Sequence, residues 1–323
     1  MNMTRRGFFM GAVATAAVTG ASKAVAAVTG GKDPNLSVFL SDIHVAGSGI
    51  KGRWGKQPTY QNACFKRSVD EILAMNPLPA RVVVFGDVAL WFGWHQDYEA
   101  SQPDFQRLRD AGIEIFVTTG NHDHRDMMFK YFPNQEKITP VPGRVVSVID
   151  LGAADLFLMD SLKEKFNEDG TGEGANNIVD GEFDEAQQTW LLKAAAEAKR
   201  PFFVGAHHPP TEVKIGKKNL TEALGKNPLY AGYIYGHRHR WLKEWQRIDY
   251  SHRHMLPNLG LPSNGWSGMI GYVTVRTFAD RAEFALNLKD FYFPSPVKPG
   301  EKRPREWDII VNDNRGGTAT LPY

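Results

Sequence analysis

Asp42-Ile43-His44, Gly86-Asp87, Gly120-Asn121-His122-Asp123, His207-His208-Pro209 and Gly236-His237-Arg238-His239 are five short clusters of groups able to bind a cation or move a proton. They supply two carboxylates (Asp42, Asp87), the Asn121 amide and imidazoles at His44, His122, His207, His237 and His239. Mixed nitrogen and oxygen donors suit borderline first-row metals such as Zn, Fe, Mn, Co or Ni, whereas Ca²⁺ favours all-oxygen shells. The donors are too many for one tetrahedral ion. Two ions sharing a carboxylate would use them economically. A lone histidine is more often a hydrogen-bonded surface residue than a ligand, so the weight lies on the ordered set.

Each cluster follows a short apolar, β-rich run: 36–40, 81–85, 113–119, 201–206 and 231–235. Continuous apolar runs of this length predict strands buried on both faces. Helical patterns fall at about 60–75, 103–111, 125–131 and 184–198, the last opened by Asp184 with Gln187 three residues on, as in a capping box. Alternating strands and helices predict an α/β architecture. In such sheets, ligand groups collect outside the carboxyl ends of the strands, which is where all five clusters fall. Two further pairs of runs, 145–149 with 156–160 and 272–278 with 282–288, predict hairpins of antiparallel strands in a second sheet. Residues 291–323 are expected to wrap the domain surface as a tail.

The five motifs in this order resemble the signature of the calcineurin-like metallophosphoesterases, over roughly residues 36–290. Gly-Asp or His-x-His alone is common, whereas five in order, each after a predicted strand, form a specific signal. The resemblance implies a four-layer α/β/β/α sandwich, two mixed sheets flanked by helices, with a phosphoesterase domain at 27–290. It implies two divalent or trivalent transition-metal ions, Fe, Mn or Zn. Asp42, His44 and His239 would hold one, Asn121, His207 and His237 the other, and Asp87 would bridge them. His207 takes this place rather than His208 because it stands two before proline. His122 would contact the phosphate or protonate the leaving oxygen, and Asp123 would orient His122 or its loop. Two divalent ions, two carboxylates and a hydroxide sum to a single positive charge, suited to an anionic ester.

The run Gly120-Asn121-His122-Asp123-His124-Arg125, with Met159-Asp160-Ser161 and Gln188-x-Trp190-Leu191, resembles class III cyclic-nucleotide phosphodiesterases and related glycerophosphodiesterases. A Gly- and Glu-rich insertion at 163–180 departs from that pattern and leaves the substrate open. The expected activity is hydrolysis of a small phosphodiester by metal-activated water. A phosphomonoesterase is the alternative, followed by a non-catalytic metal-binding protein and an exported nuclease. Trp91-Phe92-Gly93-Trp94 could floor a substrate pocket, although core packing is the commoner role for such a run. Arg125 could meet phosphate or lie on a helix surface. His95, His124, His208, His252 and His254 fall outside the pattern.

Thr4-Arg5-Arg6-Gly7-Phe8-Phe9, a weakly apolar run to Thr19 and Ala24-Val25-Ala26 resemble a twin-arginine export signal over residues 1–26. The expected partners are thus the twin-arginine machinery and a small phosphate ester, with a periplasmic or extracellular destination. Loss of residues 1–26 removes three basic residues and no acid, taking the 38 Lys and Arg down to 35 against 36 Asp and Glu. The basic excess belongs to that segment, so no electrostatic case for nucleic acid or anionic membrane remains. No later apolar run reaches the ~18 residues of a membrane span. Cys64 is the single cysteine, which excludes an intrachain disulfide and predicts a small buried residue.

Overall fold

The computed structural model describes residues 31–49, 59–163, 180–213, 220, 223–247, 255–266, 268–292 and 317–323. The expected export signal, most of the 163–180 insertion, His252, His254 and the Ile309-Ile310-Val311 run lie outside them.

Strands β1 (Lys32–Leu40), β2 (Leu78–Phe85) and β3 (Glu114–Thr118) are parallel neighbours. The hairpin β10 (Gly268–Thr277) and β11 (Arg281–Tyr292) joins them through β1, and β12 (Thr318–Pro322) adds the far edge. The first sheet therefore runs β12-β11-β10-β1-β2-β3. The second is built from β4 (Ser147–Asp150), β5 (Asp155–Leu158), β6 (Phe202–Ala206), β7 (Tyr230–Tyr235), β8 (Leu242–Arg247) and β9 (Met255–Gly260). Its order is β4-β5-β6-β7-β9-β8. Both predicted hairpins form, but they do not make a sheet of their own. Each joins one end of a set of parallel strands, so both sheets are mixed.

The period of two along a strand explains the unbroken apolar runs. Phe39, Val83 and Phe85 point toward the second sheet and meet Leu156, Leu158, Phe203, Ile234 and Phe284 in a central core. Their alternates Val38, Leu40, Val82 and Val84 point the other way, onto Phe65, Val69, Ile72, Phe105 and Leu108. Those last residues lie on helices α1 (Thr59–Leu73) and α2 (His95–Asp110). On the outer face of the second sheet, Phe157, Phe202 and Val204 pack on Leu191 and Ala195 of α5 (Glu185–Glu197). Each fully buried Val, Leu or Phe contributes about 1.5–3 kcal/mol relative to exposure, so neither sheet has a face to leave in water. Four layers result, helix, sheet, sheet, helix.

Two short helices, α3 (Arg125–Tyr131) and α4 (Pro133–Ile138), follow β3. Helix α2 starts eight residues before the predicted 103, and Pro103 lies inside it. Buried Asp97, Tyr98 and Ser101 anchor its opening turns, so tertiary packing overrides the proline. At α5, Asp184 caps by accepting from the Gln187 N–H at 2.9 Å. The Gln187 side chain completes no capping box; its Oε1 instead accepts from the Asp160 N–H at 3.2 Å. Cys64 is buried in α1, and burial pushes its thiol pKa up. Among the described residues no helix is long and apolar enough to cross a membrane.

Candidate metal centre

Asp42 and His44 follow β1, Asp87 follows β2, and Asn121, His122 and Asp123 follow β3. His207 follows β6, and His237 and His239 follow β7. Because the two sheets stack, five strand ends from both converge, and all seven predicted ligands meet in one cluster. Backbone bonds tie the loops to one another: Asp42 N–H to the Gly86 carbonyl at 3.1 Å, His44 N–H to Asp87 at 3.0 Å and Gly236 N–H to His207 at 3.0 Å.

Glycine is required where these loops touch. A Cβ on Gly120 would sit 2.2 Å from Asp87 Oδ1, and one on Gly236 would sit 1.9 Å from Ser41 Oγ. Asp42, His44, Asp87, His237 and His239, with φ between 46° and 63°, are the non-glycine residues of positive φ among those described. All five are predicted ligands. Such backbone is unfavourable for side chains with a Cβ and concentrates at functional sites.

Asp42 Oδ1 lies 3.0 Å from His239 Nε2 and 3.9 Å from His44 Nε2. His207 Nε2 lies 3.2 Å from each of Asp87 Oδ2, Asn121 Oδ1 and His237 Nδ1. Asp87 Oδ2 also faces His44 Nε2 at 3.7 Å and His122 Nε2 at 4.0 Å. It therefore stands between the Asp42–His44–His239 trio and the Asn121–His207–His237 trio. The carboxylate and imidazole atoms group in ways that could hold an ion: Asp42, His44, His239; Asp42, Asp87, His207; His44, Asp87, His122; and His207, His208, His237.

The donor set fits a cation on hydrogen-bonding grounds. His207 Nδ1 lies 2.7 Å from the Phe85 carbonyl, so with Nδ1–H donating there a neutral ring would offer the Nε2 lone pair to a cation. His44 Nδ1 lies 3.3 Å from the Ala89 and Leu90 carbonyls, and its buried Nε2 has no hydrogen-bond partner. Imidazole nitrogens, an amide oxygen and carboxylates thus face one another. Outer carbonyls that orient imidazoles in this way are a regular feature of metal-binding histidines.

The electrostatics agree. Burial favours a neutral Asp42, but the His239 and His207 imidazoles hold it down to about 2. Asp87 is likewise held well below the usual range, with burial outweighed by His207 and His122. Burial opposes charge on His207, yet Asp87 and Asp42 lift it to about 9. His44 and His237 are depressed to about 3, by burial first. Two buried carboxylates are thus held ionised within the cluster, an environment that favours positive charge.

His122 is placed beside this cluster, 16% exposed. Its Nδ1–H donates to the Trp91 carbonyl at 2.8 Å, which turns Nε2 toward Asp87. Asp123 engages the loops around His122. Its buried carboxylate accepts from the N–H groups of Val88 (3.1 Å), Ala89 (3.1 Å) and Gly120 (2.9 Å) and from Tyr98 Oη–H (3.0 Å). It holds the Asp87 and Asn121 loops in register, and burial with the nearby Asp87 charge raises it to about 7. Arg125 is buried rather than a helix-surface charge, and its guanidinium forks onto buried Asp160 at 2.7 and 3.1 Å.

Residues outside the strand-end pattern also reach the site. The His208 ring, fully buried, takes a 2.8 Å hydrogen bond with Ser161 Oγ through Nδ1. Trp266 packs on His44 at 5.1 Å between centroids and on Trp91 at 4.8 Å. Trp91 is thereby a wall of the site, while Trp94 is 42% exposed. Glu212 lies 3.4 Å from His237 Nε2. Neither Trp266 nor Glu212 belongs to a motif of ligand spacing, so spacing alone could not find them.

A "Probable cyclic nucleotide phosphodiesterase" of Rhodopseudomonas palustris is 28% identical over 184 residues, 55% of this chain and 58% of that protein. Another of the same description, from Fibrobacter succinogenes, is 23% identical over 142 residues, 41% of this chain and 48% of its own. The chain thus spans about half the length of the curated relatives it matches. A dimetal phosphatase of Danio rerio superposes with a TM-score of 0.58 at 13% identity, covering 79% of this chain and 96% of that one. That likeness shows the four-layer fold. The calcineurin-like phosphoesterase family profile matches residues 37–241, from β1 through the last of the clustered histidines, and the chain belongs to that family.

Proposed function

We propose that this protein is a dinuclear metal phosphoesterase acting on small phosphodiesters. The observation that carries the reading is the convergence of Asp42, His44, Asp87, Asn121, His207, His237 and His239 with lone pairs facing one another and Asp87 Oδ2 between the two trios. Bound first-row ions would lower the pKa of coordinated water to about 7 on zinc and offset the charge of the phosphoryl group. His122 presents Nε2 at the edge of the cluster, with its ring fixed by Trp91, and can hold a proton for the leaving oxygen. Trp91 and Trp266 line that same side. The phosphodiesterase names of both relatives favour a diester over a monoester.

Metal-loaded protein should hydrolyse bis-p-nitrophenyl phosphate faster than p-nitrophenyl phosphate, compared as kcat/KM at several pH values. A preference of more than about tenfold for the monoester, near 1.4 kcal/mol, would replace the diester reading with a phosphomonoesterase.

A further inference from the structure

Glu212 lies six residues beyond the end of β6, in the turn opened by His207-His208-Pro209-Pro210. The Glu212 N–H donates to the Pro209 carbonyl at 2.9 Å, and the Gly181 N–H donates to the Glu212 carbonyl at 2.9 Å. A parallel bridge between Gly181 and Val213 fixes the same stretch. This backbone frame aims the carboxylate, 20% exposed, back toward the motif that follows β7. One oxygen, Oε1, pairs with the Arg238 guanidinium. The other, Oε2, is buried without a hydrogen-bond partner and lies 3.4 Å from His237 Nε2.

His237 is held between two environments. Nδ1 faces His207 Nε2 at 3.2 Å, inside the cluster of lone pairs, and Nε2 faces Glu212. A neutral imidazole carries one proton. If Nδ1 offers its lone pair to a cation, the proton must sit on Nε2, opposite an acceptor that has no other donor. We infer that Glu212 is the positioning residue of His237: it receives the Nε2 proton, fixes the tautomer and ring plane, and makes Nδ1 a better ligand, while Arg238 holds it in place. The inference rests on reading the site as a metal centre. Outer carboxylates of this kind are general partners of metal-binding histidines, and their loss weakens metal affinity by about 10–100-fold.

The test uses the full chain stripped with chelator and titrated with Co²⁺, followed by calorimetry and visible absorption. The parent protein should take two ions. Glu212→Ala should keep one at parental affinity and bind the other about 10–100-fold more weakly. Glu212→Gln retains an oxygen acceptor and should recover part of that loss. On a His237→Ala background, Glu212→Ala should add no further loss, because its effect passes through that ring. Circular dichroism of the stripped variants establishes folding, and if Glu212→Ala does not fold, Glu212→Gln alone and on the His237→Ala background decides. Two ions bound at parental affinity in Glu212→Ala, or losses that add on the His237→Ala background, overturn the role of Glu212 and leave the hydrolase reading standing. A parent chain that takes up no Co²⁺ overturns both.

Discussion

Five of the seven candidate ligands hold positive φ with a full side chain, a conformation that costs of order 1–3 kcal/mol per residue. The surroundings enforce it. Asp42 is pinned by the His237 N–H on Oδ2 at 3.1 Å, and Asp87 by the His122 N–H on Oδ1 at 2.8 Å. Each bond spends one oxygen on the loop and leaves the other toward the centre. His122 stands outside both trios, although its ring is tethered to Trp91 much as His207 is to Phe85. With His122 as the proposed proton donor of a dinuclear centre, His122→Ala should keep both metals while turnover falls about 10²–10⁴-fold, the usual size of a lost general acid. Asn121→Ala should lose one ion and most activity with the fold retained. Metal analysis beside kcat checks the pair; since His122 can group with His44 and Asp87, an emptied site in His122→Ala would make it a ligand instead.

At the scale of elements, each strand ends where its loop must turn against another loop. Gly236 is the tightest such place, ending β7 against Ser41 and Asp42 at the end of β1. A methyl group there would meet Ser41 Oγ at 1.9 Å and Asp42 Oδ2 at 2.9 Å. Gly236→Ala should push Asp42 aside, and misplacement of about 1 Å can cost on the order of 10²-fold in rate. The expected outcome is loss of metal at the Asp42–His44–His239 trio with at least that fall in kcat/KM. Parental turnover in Gly236→Ala would show that the strand ends do not need this close approach.

Across the whole molecule, the two sheets share more than a hydrophobic core. Buried Asp160, just after β5, accepts from Arg125 of α3, Thr119 after β3 and the Val145 N–H. One carboxylate thus joins the end of the first sheet's β3 to the end of the second sheet's β5. Burial would raise its pKa, but the Arg125 charge holds it below the usual carboxylate range. Removing one partner of such a pair leaves a buried charge without compensation. Asp160→Ala should lower the unfolding free energy of metal-free protein by about 3–5 kcal/mol, measured by denaturant titration. A change under about 1 kcal/mol would mean that core packing alone registers the sheets.

The amino-acid sequence by itself determined the strands that carry the donor clusters, because residues such as Val82 to Phe85 are apolar without a break and are buried on both faces, whereas β8, β9 and β12 gave no such signal. It also determined the order and spacing of the donor clusters and hence the family. Sheet membership was not legible, since parallel strands pair through contacts remote in sequence: β6 and β7 follow the same local pattern as β2 and β3 yet belong to the other sheet. The start of α2 was hidden by Pro103, whose local effect is outweighed by burial of Tyr98 and Asp97. Side-chain partners were likewise decided by the tertiary structure alone. Asp123 stands beside His122 in the chain but binds the Asp87 loop, Arg125 turns inward to Asp160, and Glu212 meets His237 from across a turn. Types and order are local properties of a chain, whereas a partner is fixed by where distant backbone brings it.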